Sequence, residues 1–245
     1  MSDKLVEKLA STQQELDVLK AEYQEFVYIV SHDLKAPLRQ ISGFTEMIAE
    51  KYAESIDDKS KRHVELILRG SEKANQILQV LTDYSRLNTL SEPFTGIDCN
   101  VTVEDIKQQL ADLIEHSGAE ITVVDLPEIV GDQAQISQVF YHLIHNALYY
   151  QHPENKPKIV IEAKEFTHLW QFCIRDNGIG IPVNLTEKIF KVLRRAVPDK
   201  KYLGMGVGLA IAKKILARHG GELWLAKPHE VGSSFYFTLP KIIVT

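Results

Sequence analysis

A histidine followed by an aspartate, Ser31-His32-Asp33-Leu34, stands inside a long stretch of helical periodicity. A neutral imidazole attacks an electrophile through one ring nitrogen while the other keeps its proton, and Asp33 is placed to orient that ring or accept the proton. Val30 lies in an apolar seam; two residues on, at ~100° per residue, His32 has turned toward solvent. A second candidate is Asp176-Asn177-Gly178-Ile179-Gly180-Ile181-Pro182, directly after an apolar strand pattern. A carboxylate at a strand end can accept a hydrogen bond from the exocyclic amine of a base, and glycines let the backbone approach a flat ligand. A third is Gly204-Met205-Gly206-Val207-Gly208-Leu209-Ala210, opening a helix after Arg194, Arg195, Lys200 and Lys201. Free N–H groups and the macrodipole at such a start favour a polyphosphate. It is not a P-loop, since no Gly-Lys-Ser or Gly-Lys-Thr follows, and no strand runs straight into it as in a dinucleotide fingerprint. A fourth is the helix Gln138 to Ala147, where Asn146 can offer a neutral oxygen to a magnesium ion that already has phosphate ligands. His142 and Asn146 share a helix face as i and i+4, and no carboxylate completes a transition-metal set with His142 and His145. Each segment alone is equally readable as ordinary structure: a polar surface pair, an Asp-capped turn, a glycine-rich loop, a surface amide.

Leu5, Leu9, Thr12, Leu16, Leu19, Tyr23, Phe26 and Val30 alternate steps of four and three, the a/d seam of a coiled coil that carries His32. The pattern continues through Leu34, Leu38, Ile41 and Ile48, so one helix is predicted from Asp3 to Ala53, with Pro37 removing a donor and bending it. A break at Glu54 to Asp58 leads to a second seam through Val64, Ile67, Ser71, Ala74, Leu78, Leu81 and Ser85. Two helices with one stripe each make a poor core alone, which predicts pairing of two chains into a four-helix bundle. After a linker at Leu90 to Ile97, strands are predicted at Ile121–Val124, Lys158–Ala163, Trp170–Arg175, Glu222–Leu225 and Ser234–Leu239. Helices are predicted at Val103–Ser117, Asp132–Gln151 and Val207–His219, giving a mixed sheet with helices on one face. Two domains follow: residues 1–90, a coiled coil and helical hairpin, and residues 91–245, an α/β sandwich.

Apolar residues make up 44% and charged residues 25% of the 245, which excludes a disordered or collagen-like chain. A net charge of -5 argues against broad phosphate neutralisation of a nucleic acid and leaves room only for a local basic patch. No run approaches ~18 apolar residues and the N-terminus lacks a signal-peptide core, so a cytoplasmic protein without a membrane span is expected. Cys99 and Cys173 stand apart from any ligand spacing and read as buried thiols.

The order of these segments resembles the sensor histidine kinases of two-component systems, and in detail the kinase cores of the phytochrome type. SHDLKAPL resembles the H box, QVFYHLIHNALYY the N box, DNGIGIP the first glycine box and GMGVGLA the second. The resemblance implies a helical dimerisation and phosphotransfer domain followed by an ATP-binding sandwich of the histidine kinase and chaperone ATPase type. It implies that His32 is phosphorylated from ATP, with Asp33 as acid/base partner, and passes the phosphoryl group to an aspartate of a response regulator receiver domain. Asn146 would hold Mg2+, Asp176 would read the adenine amine, and Gly178 and Gly180 would shape its pocket. Gly204, Gly206 and Gly208 would form the phosphate turn, with Tyr150, Ile181, Arg195, Val207 and Leu209 completing the nucleotide-binding set and Phe190 matching the F box. Implied partners are a second copy, a response regulator and an upstream sensor domain or protein. No input or receiver domain is visible in the chain, which reads as a truncated transmitter or a kinase with a separate sensor.

Departures from the pattern carry expectations of their own. His142 stands where the N box usually has Asn, and Tyr149 where it has Lys or Arg, which lowers expected ATP affinity. Leu193 replaces the second F-box aromatic and Met205 a common Thr. Ala36 stands where many relatives use Thr or Asn to orient a dephosphorylating water, so the resemblance does not extend to phosphatase activity, which the sequence leaves open. The alternative reading is a signalling scaffold of the same fold that binds ATP weakly or not at all; a third is a chaperone-like or DNA-repair-like ATPase, against which the H box counts.

Overall fold

The heptad stripe becomes α1, Ser2–Lys51, which continues as α-helix through Pro37. The computed structural model describes residues 2–52, 55, 57–86, 92–194, 206–226 and 231–241. The predicted turn falls partly on Glu54, outside the described residues; on its far side Asp57 accepts from the Ser60 N–H at 2.7 Å and starts α2, Asp58–Arg86. The chain divides into two units, residues 1–89 and 90–245.

In the first unit α1 packs on α2, burying Ser31, Thr45, Ser71, Leu78, Val80, Thr82 and Ser85. Small and hydroxyl side chains at this seam permit a close approach, and Thr45 and Thr82 return their hydroxyls to carbonyls one turn back, Ile41 and Leu78. The N-terminal stripe stays uncovered in the single chain: Leu9 is 70% and Phe26 63% exposed.

The second unit opens with β1, Thr95–Asp98, which pairs antiparallel with β3, Glu128–Gly131, as a separate ribbon. This corrects the linker reading, in which Gly96 marked loop; here Gly96 sits in register with Val130. The helix predicted from Val103 starts earlier and is two helices. Asp98 accepts from the N–H groups of Asn100 and Val101 to cap α3, Cys99–Gln109, and the chain leaves helical geometry at Leu110 (φ -100°, ψ 13°) before α4, Ala111–Ser117. Gly118 then ends α4 with a left-handed φ of 61°.

The main sheet has the order β2-β4-β5-β7-β6. Its strands are β2 (Glu120–Val123), β4 (Lys158–Glu165), β5 (Leu169–Asp176), β6 (Leu223–Leu225) and β7 (Ser233–Pro240). β2 runs parallel to β4 and the other pairs are antiparallel, so the predicted mixed sheet is present. Helices α5 (Gln133–Tyr149) and α6 (Gly208–Arg218) cover its apolar face. Phe140 of α5 meets Phe172 and Phe237 edge-on at 5.7 and 5.5 Å, while those two rings stack at 4.6 Å. With Ile136, Leu143, Ile144, Ile161, Ile174 and Ile215 they form a fully buried core, worth roughly 1.5–3 kcal/mol per large side chain. This core fixes α5 and α6 relative to the ends of β5 and β7, where the candidate binding residues lie.

Candidate functional site

His32 lies on the exposed flank of α1, its side chain 73% accessible, and its Nδ1 is 3.1 Å from Asp33 Oδ1. Ser31, one residue before, is buried against α2, so the helix is anchored on one side while presenting the imidazole on the other. If Nδ1 carries the proton and donates it to Asp33, Nε2 has a free lone pair aimed at solvent. Tyr28, one turn earlier, tilts against the ring at 6.3 Å. Ala36 is exposed.

In the second unit β5 ends at Asp176, whose Oδ1 accepts from the N–H groups of Gly178 at 2.8 Å and Ser233 at 3.2 Å. Burial pushes this carboxyl up to about 6, against the opposing pull of those two donors. With Oδ1 so occupied, Oδ2 is left to accept from a ligand amine. A side chain at Gly178 would overlap the Tyr150 carbonyl oxygen, which already accepts from the Ile179 N–H at 3.1 Å. The turn is therefore pressed directly onto the end of α5. Asn177 locks it from outside: its Oδ1 accepts from the Lys158 N–H at 2.7 Å, and its carbonyl accepts from Asn155 Nδ2 at 2.7 Å.

Gly180 takes a left-handed φ of 69° and Gly206 one of 68°, while Ile181 is half-buried beside the turn. Val207 precedes α6 and supplies no side-chain cap, and the N–H groups of the first turn, at Gly208, Leu209 and Ala210, are the kind of helix start that suits an anion. Gly204 and Arg195, predicted to join this turn and its approach, lie outside the described residues, as do Lys200, Lys201 and Met205. Phe190 packs edge-on against Phe235 at 6.4 Å with Lys213 Nζ 5.1 Å from its ring centroid.

One face of α5 completes the arrangement. Tyr141, His142, His145, Asn146, Tyr149 and Tyr150 are half-buried there, above fully buried Leu143, Ile144, Ala147 and Leu148. Tyr141, His145 and Tyr149 stack in sequence at 5.8 and 5.6 Å. Burial lowers His142 to about 4, with His145 adding a smaller repulsion, so the ring is neutral at physiological pH. The half-buried Asn146 amide oxygen is a neutral hard donor of the kind that suits a cation bringing its own phosphate oxygens.

Gly232 and Ser233 were not identified from sequence. They enter because β7 pairs with β5 so that Ser233 faces Asp176 in register, and Gly232 donates its N–H to the Gly178 carbonyl at 3.1 Å. Only the strand pairing brings them to the site. Among the described residues, no helix is long and apolar enough to cross a membrane.

Two family models match the chain: the "His Kinase A (phospho-acceptor) domain" over residues 22–90 and the "Histidine kinase-, DNA gyrase B-, and HSP90-like ATPase" over residues 131–243. The phytochrome-like protein Cph1 of Synechocystis sp. is 35% identical over 96% of this chain and 31% of its own length. The chain thus spans about a third of the length of such curated relatives. Among solved structures, full-length ShkA in complex with AMPPNP shares the fold at a TM-score of 0.64, with 18% identity over 90% of this chain and 47% of that one. ThkA in complex with the response regulator protein TrrA matches at a TM-score of 0.60 and 19% identity, over 91% of this chain and 64% of that one.

Proposed function

The chain belongs to the histidine kinases, and from that premise we propose that it transfers the γ-phosphoryl group of ATP to its own His32 and then to an aspartate of a response regulator. The observation that carries this reading is the exposed His32 with Nδ1 3.1 Å from Asp33 Oδ1. In the reaction, the Nε2 lone pair forms a bond to the γ-phosphorus while the bond from that phosphorus to the β–γ bridging oxygen breaks. The electron pair leaves on ADP. The Nδ1 proton, acidified as the ring becomes positive, passes to the Asp33 carboxylate and leaves a neutral phosphohistidine. In such a transfer positioning and electrostatic stabilisation supply most of the rate.

Asp176 Oδ2 would accept from the adenine amine, Gly178, Gly180, Ile181 and Tyr150 would bound the base, and the first turn of α6 at Val207, Gly208 and Leu209 would hold phosphate. Gly204, Gly206 and Arg195 belong to the same proposed set. Magnesium, held through Asn146, would neutralise charge on the β- and γ-phosphates. The match to an ATPase model and the AMPPNP complex of ShkA support this assignment of the nucleotide.

Residues 1–90 are assigned to dimerisation and phosphotransfer and residues 91–245 to ATP binding. The uncovered stripe on α1, including Leu9, Leu16, Leu19, Tyr23 and Phe26, supports a homodimer in which a second copy covers it. The ThkA–TrrA complex supports a receiver domain as the acceptor, and the coiled-coil end of α1 is the proposed route for a signal from an upstream sensor. We place the chain in the cytoplasm, where nucleotide and receiver are found.

A second reading is a scaffold with weak ATP affinity, favoured by Tyr149 standing where a phosphate-binding cation is expected. Titration with Mg-ATP followed by mass mapping of the His32 peptide separates the two. Saturable binding with phosphate on that peptide is the result expected of the kinase; absence of binding at millimolar nucleotide selects the scaffold.

A further inference from the structure

We infer that His142 is a positioning residue for the polyphosphate end of the nucleotide site, where its imidazole sets the spacing between α5 and the first turn of α6. The inference rests on the nucleotide-binding reading above and concerns residues that bear no charge toward the ligand. Gly208 is the first residue of α6, and a Cβ added there would lie 2.9 Å from His142 Nδ1, 3.1 Å from its Cγ and 3.4 Å from its Cβ. The imidazole therefore already occupies the space that any side chain at position 208 would need.

The ring is held on its other side. Tyr141 meets it edge-on at 5.7 Å and 75°, while Val139 and Leu143, flanking it on α5, are fully buried and keep the helix from shifting. His142 and Asn146, one turn apart on the same face, thus bear a fixed relation to one another, and Gly208 rests on the first of them. Val207, the residue before α6, gives its N–H groups no side-chain cap, and among the described residues the His142 ring is the surface against which Gly208 lies. Because burial keeps the imidazole neutral near pH 7, its contribution is shape and dipole rather than cationic attraction. The glycine and the histidine act as one unit: the absence of a side chain at one position is matched by the ring at the other.

Removing the ring leaves the α6 start unsupported at the end where phosphate would bind, about 1 Å of misplacement being enough to cost orders of magnitude in a positioned site. The base pocket at Asp176 is built by other contacts and is not disturbed. The test is equilibrium binding of ATP and of adenosine, both with magnesium, to the full chain and to His142→Ala, His142→Gln, Gly208→Ala and the His142→Ala/Gly208→Ala pair. Folding of each is monitored by tryptophan fluorescence.

We expect His142→Ala to weaken ATP about tenfold or more while adenosine stays within about twofold. His142→Gln, planar and of similar reach, should recover most of the loss. Gly208→Ala should weaken ATP at least as much, and the double variant should bind ATP better than Gly208→Ala alone. The inference is overturned if His142→Ala binds ATP as the parent does, if ATP and adenosine fall together, or if the two substitutions are additive. A parent chain that binds neither compound would overturn the nucleotide reading itself.

Discussion

Asp176→Asn should stabilise the second unit while weakening the proposed recognition of adenine. The carboxyl is raised from 3.8 to about 6, chiefly because burial penalises its charge. The folded state therefore holds a proton that the unfolded state releases between those two values. The stabilisation from protonation is complete below about pH 4 and is lost as pH rises through about 6, leaving an ionisation cost of up to about 3 kcal/mol at neutral pH. Asn keeps an oxygen to accept the Gly178 and Ser233 N–H groups, at 2.8 and 3.2 Å in the parent, and has no charge to bury. Both tryptophans, Trp170 and Trp224, lie in the second unit, so fluorescence-monitored unfolding of the full chain reads that unit selectively. At pH 7.5 the variant should melt higher, by roughly 2–4 °C per kcal/mol gained, and the difference should close as pH falls from 6 toward 4. ADP affinity should fall about 10- to 100-fold, since an amide N–H then faces the adenine amine and a charge-assisted hydrogen bond worth about 1.5–3 kcal/mol is lost. A variant that melts lower than the parent at pH 7.5, or that binds ADP equally well, would refute the reasoning.

Three further outcomes are expected. Gly178→Ala, which drives a methyl into the Tyr150 carbonyl, should cost about 1–3 kcal/mol in the same fluorescence melt and reduce nucleotide affinity; an unchanged melt would contradict the close approach. Asp33→Asn should lower the initial rate of His32 phosphorylation about 10²- to 10⁴-fold while leaving ATP affinity unchanged, measured by quenched-flow labelling and by titration. Asp132 is buried, caps α5 by accepting from the Gln135 N–H at 3.1 Å and accepts from the Glu92 N–H at 3.0 Å. Asp132→Ala should therefore destabilise the second unit by about 1–3 kcal/mol and speed amide exchange at Glu92.

The candidate site residues were legible where type and spacing sufficed. His32 follows from its angle to the seam at Val30, and Asp176 from its place at the end of an apolar strand. The α6 start follows from glycines ahead of a 3.6-residue pattern. What was missed depends on pairing between distant segments. Ser233 and Gly232 reach Asp176 only through the β5–β7 register, 57 residues after it in the case of Ser233. The β1–β3 ribbon consists of two strands of four residues each, too short to show alternation, and Gly96 and Gly131 within it look like breakers. The break at Leu110 lies within a continuous helical composition: Ile106 and Leu110 are both buried, and the backbone leaves helical geometry only at Leu110 before α4 resumes at Ala111. The meaning of His142 was likewise hidden, because its effect is exerted on Gly208, which joins it only when α6 packs on α5.

The central claim, that His32 is the phosphoryl acceptor, is tested most directly by incubating the parent chain and His32→Gln with γ-labelled ATP and magnesium. Acid-labile, base-stable label is expected on the parent and none on the variant. Equal label on both, or no label on a parent chain that binds ATP, would contradict it.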